Sequence, residues 1–167
     1  PYCVSQVPIH YNEYSTGRPH VPGHDKDRFR SKYLDIPNTP LYPFGYGLEY
    51  TSFEVSGVTL DADRMTKEDT IHASVTIRNT GKREGTETLQ LYIHDVAASV
   101  VRPVKELKGF RKITLKPGEE QKVEFAIIED MLRFLTENQV VESEPGIFEV
   151  YVGTDSTVQE KAVFTLI

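Results

Sequence analysis

The chain has 167 residues, enough for one full domain with an attached segment and short for two independent cores. Hydrophobic residues make up 38% and charged residues 26%, a folded-protein composition that excludes wholesale disorder. The net charge of −6, with Lys and Arg dispersed among acids, argues against nucleic-acid and anionic-membrane partners, because nothing here would neutralise phosphates.

No apolar run approaches the roughly 18 residues that a membrane-spanning helix needs, and PYCVSQVPIHYNEY has neither the basic start nor the apolar stretch of a signal peptide. The one cysteine, Cys3, has no partner for an internal disulfide or a zinc ribbon, so the compartment stays open.

Residues 1–50 differ in texture from the rest. One strand is predicted, Val4 to Tyr11. A long irregular stretch follows, in which Pro19, Pro22, Pro37, Pro40 and Pro43 forbid a helix or a central strand. Loops of that length are uncommon inside a compact domain, so the segment reads as one that wraps another surface or links two bodies. Phe29, Tyr33, Tyr42, Phe44, Tyr46 and Tyr50 give it something to bury. Residues 12–35 are expected to be looser than residues 53–167, or to be ordered by a second copy.

From Phe53 onward the pattern alternates. Ile71, Ala73, Val75 and Ile77 share one face against His72, Ser74 and Thr76. Leu89, Leu91 and Ile93 oppose Thr88, Gln90 and Tyr92. Val123, Phe125 and Ile127 alternate with Lys122, Glu124 and Ala126, and Phe148, Val150 and Val152 with Glu149 and Tyr151. Period two means strands with one face toward a core. Asn79-Thr80-Gly81, Pro117-Gly118 and Pro145-Gly146 supply turns. Further strands are predicted at Phe53–Leu60, Lys105–Leu115, Leu132–Phe134 with Val140–Val141, and Ala162–Ile167. The expectation is an all-β, immunoglobulin-like or fibronectin type III-like antiparallel sandwich with a long irregular N-terminal segment. An up-and-down barrel is the structural alternative. The absence of a Cys–Trp–Cys set excludes an antibody-type domain.

No catalytic, cofactor-binding or metal-ligating residue is assigned. G-x-S-x-G, H-E-x-x-H and the P-loop are all missing. Gly45-Tyr46-Gly47 lacks the third glycine of a dinucleotide loop and reads as a bend before a strand. His20 and His24 with Asp25 and Asp27 sit in an irregular loop, where their spacing guarantees no shared face, so they read as a solvated loop rather than a metal site. The mixed-sign run Asp25-Lys26-Asp27-Arg28 reads as a solvated turn. His72 and His94 read as surface histidines without a nucleophile or an orienting carboxylate. Glu84, Glu87, Glu119, Glu120, Glu142 and Glu144 are expected to face water, whereas a retaining glycosidase needs two carboxyls about 5–5.5 Å apart in a cleft.

Three stretches carry a family resemblance. PLYPFGYGLEYTSFEVSGVTL (Pro40–Leu60) resembles the start of the C-terminal domain of family-3 glycoside hydrolases, the β-glucosidases and β-xylosidases, with Glu49 where Ser is common. Ile77–Phe125, above all SVVRPVKELKGF, is similar to that domain's core. SQVPIHYNEYSTGRP (Ser5–Pro19) resembles the close of the family's second domain, with Ser5 for a usual Gly and His10 for a usual Tyr. The resemblance implies residues 1–50 as the last strand of a preceding α/β domain plus a wrapping linker, and 51–167 as a fibronectin type III-like domain. It also implies a non-catalytic piece of a larger β-glucosidase-like enzyme whose two catalytic carboxylates lie outside this chain, since there is no Trp and no Ser-Asp dipeptide. The partners implied are the preceding catalytic domains of the same polypeptide and, through them, an oligosaccharide or β-glucoside; no cofactor is implied, and a homodimer stays open. The alternative is a carbohydrate-binding or adhesion module, for which Tyr92 and Tyr151 are the only strand-face aromatics placed to form an exposed platform.

Overall fold

The computed structural model describes residues 1–15, 17–19, 23 and 26–167. Among the described residues eleven strands run as β1 (Phe53–Val55), β2 (Thr59–Leu60), β3 (Arg64–Met65), β4 (Thr70–Asn79), β5 (Gly85–Asp95), β6 (Glu106–Leu115), β7 (Glu120–Ile128), β8 (Phe134–Leu135), β9 (Val141–Glu142), β10 (Gly146–Gly153) and β11 (Ala162–Leu166). In one sheet β4 pairs with β1, β2 and β7. The other has the order β3-β11-β10-β5-β6. All pairings are antiparallel except β3 with β11. The two sheets form the expected sandwich.

The core follows from the alternation. Ile71, Ala73, Val75 and Ile77 of β4 and Val123, Phe125 and Ile127 of β7 pack against Leu89, Leu91, Ile93, Phe148, Val150 and Val152 of the opposite sheet. Phe148 and Phe164 stack across neighbouring strands, with ring centroids 5.4 Å apart.

Asn79 does more than mark a turn. It is fully buried, and its amide donates to Arg83 O (2.7 Å) and Leu115 O (2.9 Å). Its Oδ1 accepts from the Thr51 hydroxyl (2.8 Å) and Gly81 N–H (3.0 Å). One satisfied side chain thus joins the end of β4, the end of β6 and the chain leading into β1.

The structure differs from expectation in four places. The run predicted over Phe53–Leu60 is interrupted at 56–58, where the Ser56 hydroxyl accepts Thr76 N–H (2.8 Å). β3, two residues long, has no alternation from which to be read. Leu132 closes a 3₁₀ turn, Glu129–Met131, instead of starting a strand. That turn forms because Glu129 is buried, accepting the Ser143 hydroxyl (2.5 Å) and Arg133 Nε (2.7 Å). Val4–Tyr11 is not a strand here: Gln6 N–H closes a turn on Cys3 O, and the Gln6 side chain turns inward to donate to Pro37 O (2.8 Å). A strand needs a neighbour to pair with, and among the described residues none lies beside this stretch.

Leu91 is 0% and Phe125 5% exposed, on facing sheets. Truncating either to Ala is expected to cost about 2–5 kcal/mol, measured by urea unfolding; a loss under about 0.5 kcal/mol at both would invert the assigned strand faces.

Candidate functional site: an aromatic strap across the second sheet

β5 is buried on both faces. Leu89, Leu91 and Ile93 face the core, yet Gln90 (5% exposed) and Tyr92 (0%) are also covered. The cover is the N-terminal segment, held on the sheet as a strap. Tyr11 stacks on Phe44 with centroids 4.1 Å apart and meets Tyr92 edge-on at 5.8 Å. The Tyr92 hydroxyl donates to Gln90 Oε1 (2.5 Å), and Gln90 Nε2 donates to Thr154 O (2.6 Å) and Gly45 O (3.3 Å). Tyr92 and Tyr151 are therefore not exposed platform aromatics, as the alternation suggested. Burial pushes the Tyr92 hydroxyl above its ordinary range; burial and the Glu149 carboxylate that accepts its proton do the same for Tyr151.

Gly45 explains the Gly45-Tyr46-Gly47 bend. Its φ of +85° is left-handed, and a Cβ there would overlap the Gln90 carboxamide. From this point the strap runs antiparallel along β5, with Gly45 at Gln90, Glu49 at Glu87 and Thr51 at Gly85. The strap fits there because β10 ends at Gly153, opposite Gln90, and leaves the first half of β5 without a neighbour on that side.

The receiving surface is the SVVRPVKELKGF stretch together with the loop after β10. Pro103 bridges to Tyr14, and Val104 N–H donates to Glu13 O (2.9 Å). Lys105 is buried, donates to Ser156 O (3.2 Å) and Val158 O, and lies 4.2 Å from the Tyr151 ring centroid. Desolvation lowers its pKa. Ser156 N–H in turn donates to Phe44 O (2.9 Å). Arg102 pairs with Glu106 (2.7 Å) and stacks on Phe134. Two of the motif's three cations thus reach outside it, Arg102 to Phe134 and Lys105 to the loop after β10.

The strap's outer side is apolar and bare. Phe29, Leu34, Leu48 and Tyr50 are 83–96% exposed, and Tyr42 and Tyr46, 65% and 47% exposed, tilt against each other with centroids 5.1 Å apart. Single exposed apolar residues are ordinary, but a run of large ones on one short segment marks an interaction surface.

Glu84, Glu119, Glu120 and Glu142 face water, as read. Glu144 is half-buried, accepting Ser99 N–H (2.8 Å). Glu87 departs most: it is half-buried against Glu49, and its pKa is pushed up to about 7, first by desolvation and then by that second carboxyl. His72 does have an orienting carboxylate, contrary to expectation: Asp61 Oδ2 lies 2.8 Å from Nδ1, while Oδ1 accepts the His72 N–H (2.8 Å). The adjoining open groove of about 530 Å³ is lined by Arg111, Gln121, Lys122 and Glu124, with Lys122 paired to Glu124 at 2.7 Å. His94 is half-buried with Nδ1 3.1 Å from Pro103 O. His20, His24 and Asp25 lie outside the described residues; Asp27 pairs with Arg30 at 2.9 Å. Among the described residues no cluster of three or more His, Cys, Asp or Glu side chains is arranged to hold a metal ion. Gln90 and Lys105, which sequence reasoning did not single out, organise the site; their only signal was a polar residue inside a strand and a lysine two residues after the motif's proline.

Residues 87–156 match the family model described as a fibronectin type III-like domain. The whole chain is 47% identical to a periplasmic β-glucosidase of Salmonella typhimurium, covering 22% of that protein. It is 43% identical to a putative β-xylosidase of Formosa agariphila over 99% of its own length and 20% of the relative's. A β-glucosidase from Listeria innocua, solved in complex with glucose, superimposes over 96% of this chain and 22% of its own, with a TM-score of 0.88 and 40% identity. The chain spans about a fifth of the length of these relatives.

Gly45→Ala is expected to cost about 1–3 kcal/mol, from the left-handed backbone and the displaced Gln90 together. Gly118→Ala, with a similar φ of +77° and open space around it, carries the backbone part alone. Urea unfolding of both variants, with near-ultraviolet dichroism of the tyrosines, separates the two; equal losses would mean that the strap does not press on Gln90.

Proposed function

Since this chain belongs to the C-terminal, fibronectin type III-like part of the family-3 glycoside hydrolases, we propose that it braces the catalytic domains of a β-glucosidase-like enzyme through its strap. In this reading residues 1–50 are the last strand of a preceding α/β domain plus the wrapping linker, the strand forming only against that domain, and residues 51–167 are the fibronectin type III-like domain. The observation that carries the reading is the strap's two-sidedness. Its inner ring Tyr11 lies between Phe44 and Tyr92, while Phe29, Leu34, Leu48 and Tyr50 are 83–96% exposed.

The parent enzyme would cleave terminal β-glycosidic bonds by a retaining mechanism, with both carboxylates supplied by domains outside this chain. Such a pair works only at a fixed separation of about 5–5.5 Å. Small misplacements cost large rate factors, so a rigid brace far from the chemistry has a catalytic value. A domain of antiparallel ladders, anchored through an apolar strap, has the stiffness for that role. The alternative as a carbohydrate-binding module loses its support, because the two strand-face tyrosines it needed are buried, Tyr92 beneath the strap and Tyr151 against Lys105.

Two measurements test the proposal. The chain alone is expected to release no product from an aryl β-glucoside above background; turnover abolished by replacing one of its own acids would overturn the non-catalytic role. Added in trans to the upstream domains of its polypeptide, it is expected to bind them. Leu48→Asp with Tyr50→Asp should weaken that binding by about tenfold or more without moving the chain's own unfolding midpoint, because both side chains are about nine-tenths exposed. Unchanged binding would sink the strap as the docking surface. In the free chain, amides of residues 26–35 are expected to exchange faster than those of 53–167.

A further inference from the structure

The β8–β9 hairpin stands apart from both sheets and pairs with no further strand among the described residues. Phe134 lies opposite Glu142 and Leu135 opposite Val141. A two-stranded sheet this short is marginal by itself in water, and it is held from its inner side. Phe134 is buried with the Arg102 guanidinium 4.2 Å over its ring, and Thr136 closes the turn on Val140 O through its N–H (2.9 Å) and its hydroxyl (3.1 Å). Ser143, just after β9, is tied to Glu129 (2.5 Å). The other side takes no part in this. The cross-strand partners Leu135 and Val141, with Val140 beside them, are 50–64% exposed. A sheet side that met only water would be polar; three neighbouring apolar side chains, two of them directly paired, mark an interaction surface.

We propose that this apolar side of the β8–β9 hairpin is a second docking element, seated beside the strap on the catalytic domains of the same polypeptide. The identity of that occupant rests on the bracing role proposed above; the bare face itself rests on this chain's own contacts.

Continuity with the strap selects the occupant. Arg102 covers Phe134, and the next two residues hold the root of the strap: Pro103 bridges to Tyr14, and Val104 N–H donates to Glu13 O (2.9 Å). Hairpin and strap therefore flank one three-residue stretch of chain. Val101 and Tyr14, 67% and 61% exposed, carry the apolar surface across that junction. Size points the same way. A stable interface engages about 20–30 residues a side, more than the strap's outer side chains supply. The chain spans about a fifth of the length of its relatives, so the large bodies available to cover this surface are the remaining domains of the polypeptide.

A second contact does what the strap cannot do by itself. One line of contact lets the sandwich swing about that line; a point to one side of it fixes the angle. A brace that keeps a cleft at constant geometry needs that fixed angle. Arg102 makes the hairpin rigid enough to serve. Its guanidinium lies on Phe134 and pairs with Glu106 of β6 (2.7 Å), so a load on the hairpin passes directly into the second sheet.

Hydroxyl-radical footprinting, read residue by residue by mass spectrometry, tests this without any substitution. The 167-residue chain and the full polypeptide are compared at several protein concentrations. Leu135, Val140 and Val141 are expected to oxidise readily in the chain. In the full polypeptide they are expected to lose most of that oxidation, approaching the level of Leu115 and Phe148 in the core, at every concentration. Protection of Leu48 and Tyr50 without protection of the hairpin would overturn the second dock and leave the strap's role standing. Hairpin protection that appears only as concentration rises would assign the face to a second copy and overturn it as well. Protection at neither place would remove the bracing role and this dock together, whereas protection of the hairpin alone would support this dock and remove the strap's.

Discussion

Gln90 holds its carboxamide between the strap and the loop after β10, donating to Gly45 O and Thr154 O while accepting the Tyr92 hydroxyl. A buried amide left without partners would cost about 1–3 kcal/mol. The strap is therefore a requirement of this strand rather than an ornament on it. If the strap were removed, Gln90 would lose a partner and Tyr92 would lose its apolar cover. The glycine at 45 is the other half of the same constraint, since only a residue without Cβ brings backbone that close to the carboxamide.

Around this contact the fold spends cations in unusual places. Lys105 is nearly dry, yet its ammonium has two backbone carbonyls and the face of Tyr151. Arg102 lies between Phe134 and Glu106. Each cation fixes a loop that has little apolar surface of its own, and the loop after β10 is the one that reaches back to Phe44. A chain of direct contacts thus runs from Tyr151 in the sheet through Lys105 and Ser156 to the strap. The outward aromatics inherit their positions from it, which links sandwich packing to whatever surface the strap meets.

The acids divide by position. Glu84, Glu119, Glu120 and Glu142 lie in or beside turns and face water. The carboxyls drawn inward do structural work instead: Glu129 ties a 3₁₀ turn to Ser143 and Arg133, and Glu87 meets the strap. The His72–Asp61 pair lies on an open sheet face beside the Lys122–Glu124 ion pair.

Alternation in β4, β5, β7 and β10 was enough to give the sandwich and its inner face, because burial of every second side chain is a local property written in neighbouring residues. Proline density was enough to exclude regular structure before Phe53, and the SVVRPVKELKGF stretch carried the family. What the sequence could not give was the outer face of β5. Gln90 and Tyr92 read as water-facing beside Thr88, and their cover comes from Tyr11 and Phe44, which stand tens of residues upstream. The strand predicted over Val4–Tyr11 failed for the same reason in reverse: its β-propensity was real, but pairing needs a neighbour, and Gln6 found Pro37 O instead. Asp61 beside His72 and Glu49 beside Glu87 likewise depend on register between distant segments. Local pattern determined which residues are inside; only the tertiary structure decided which polar residues meet, because those meetings are fixed by chain path and not by period.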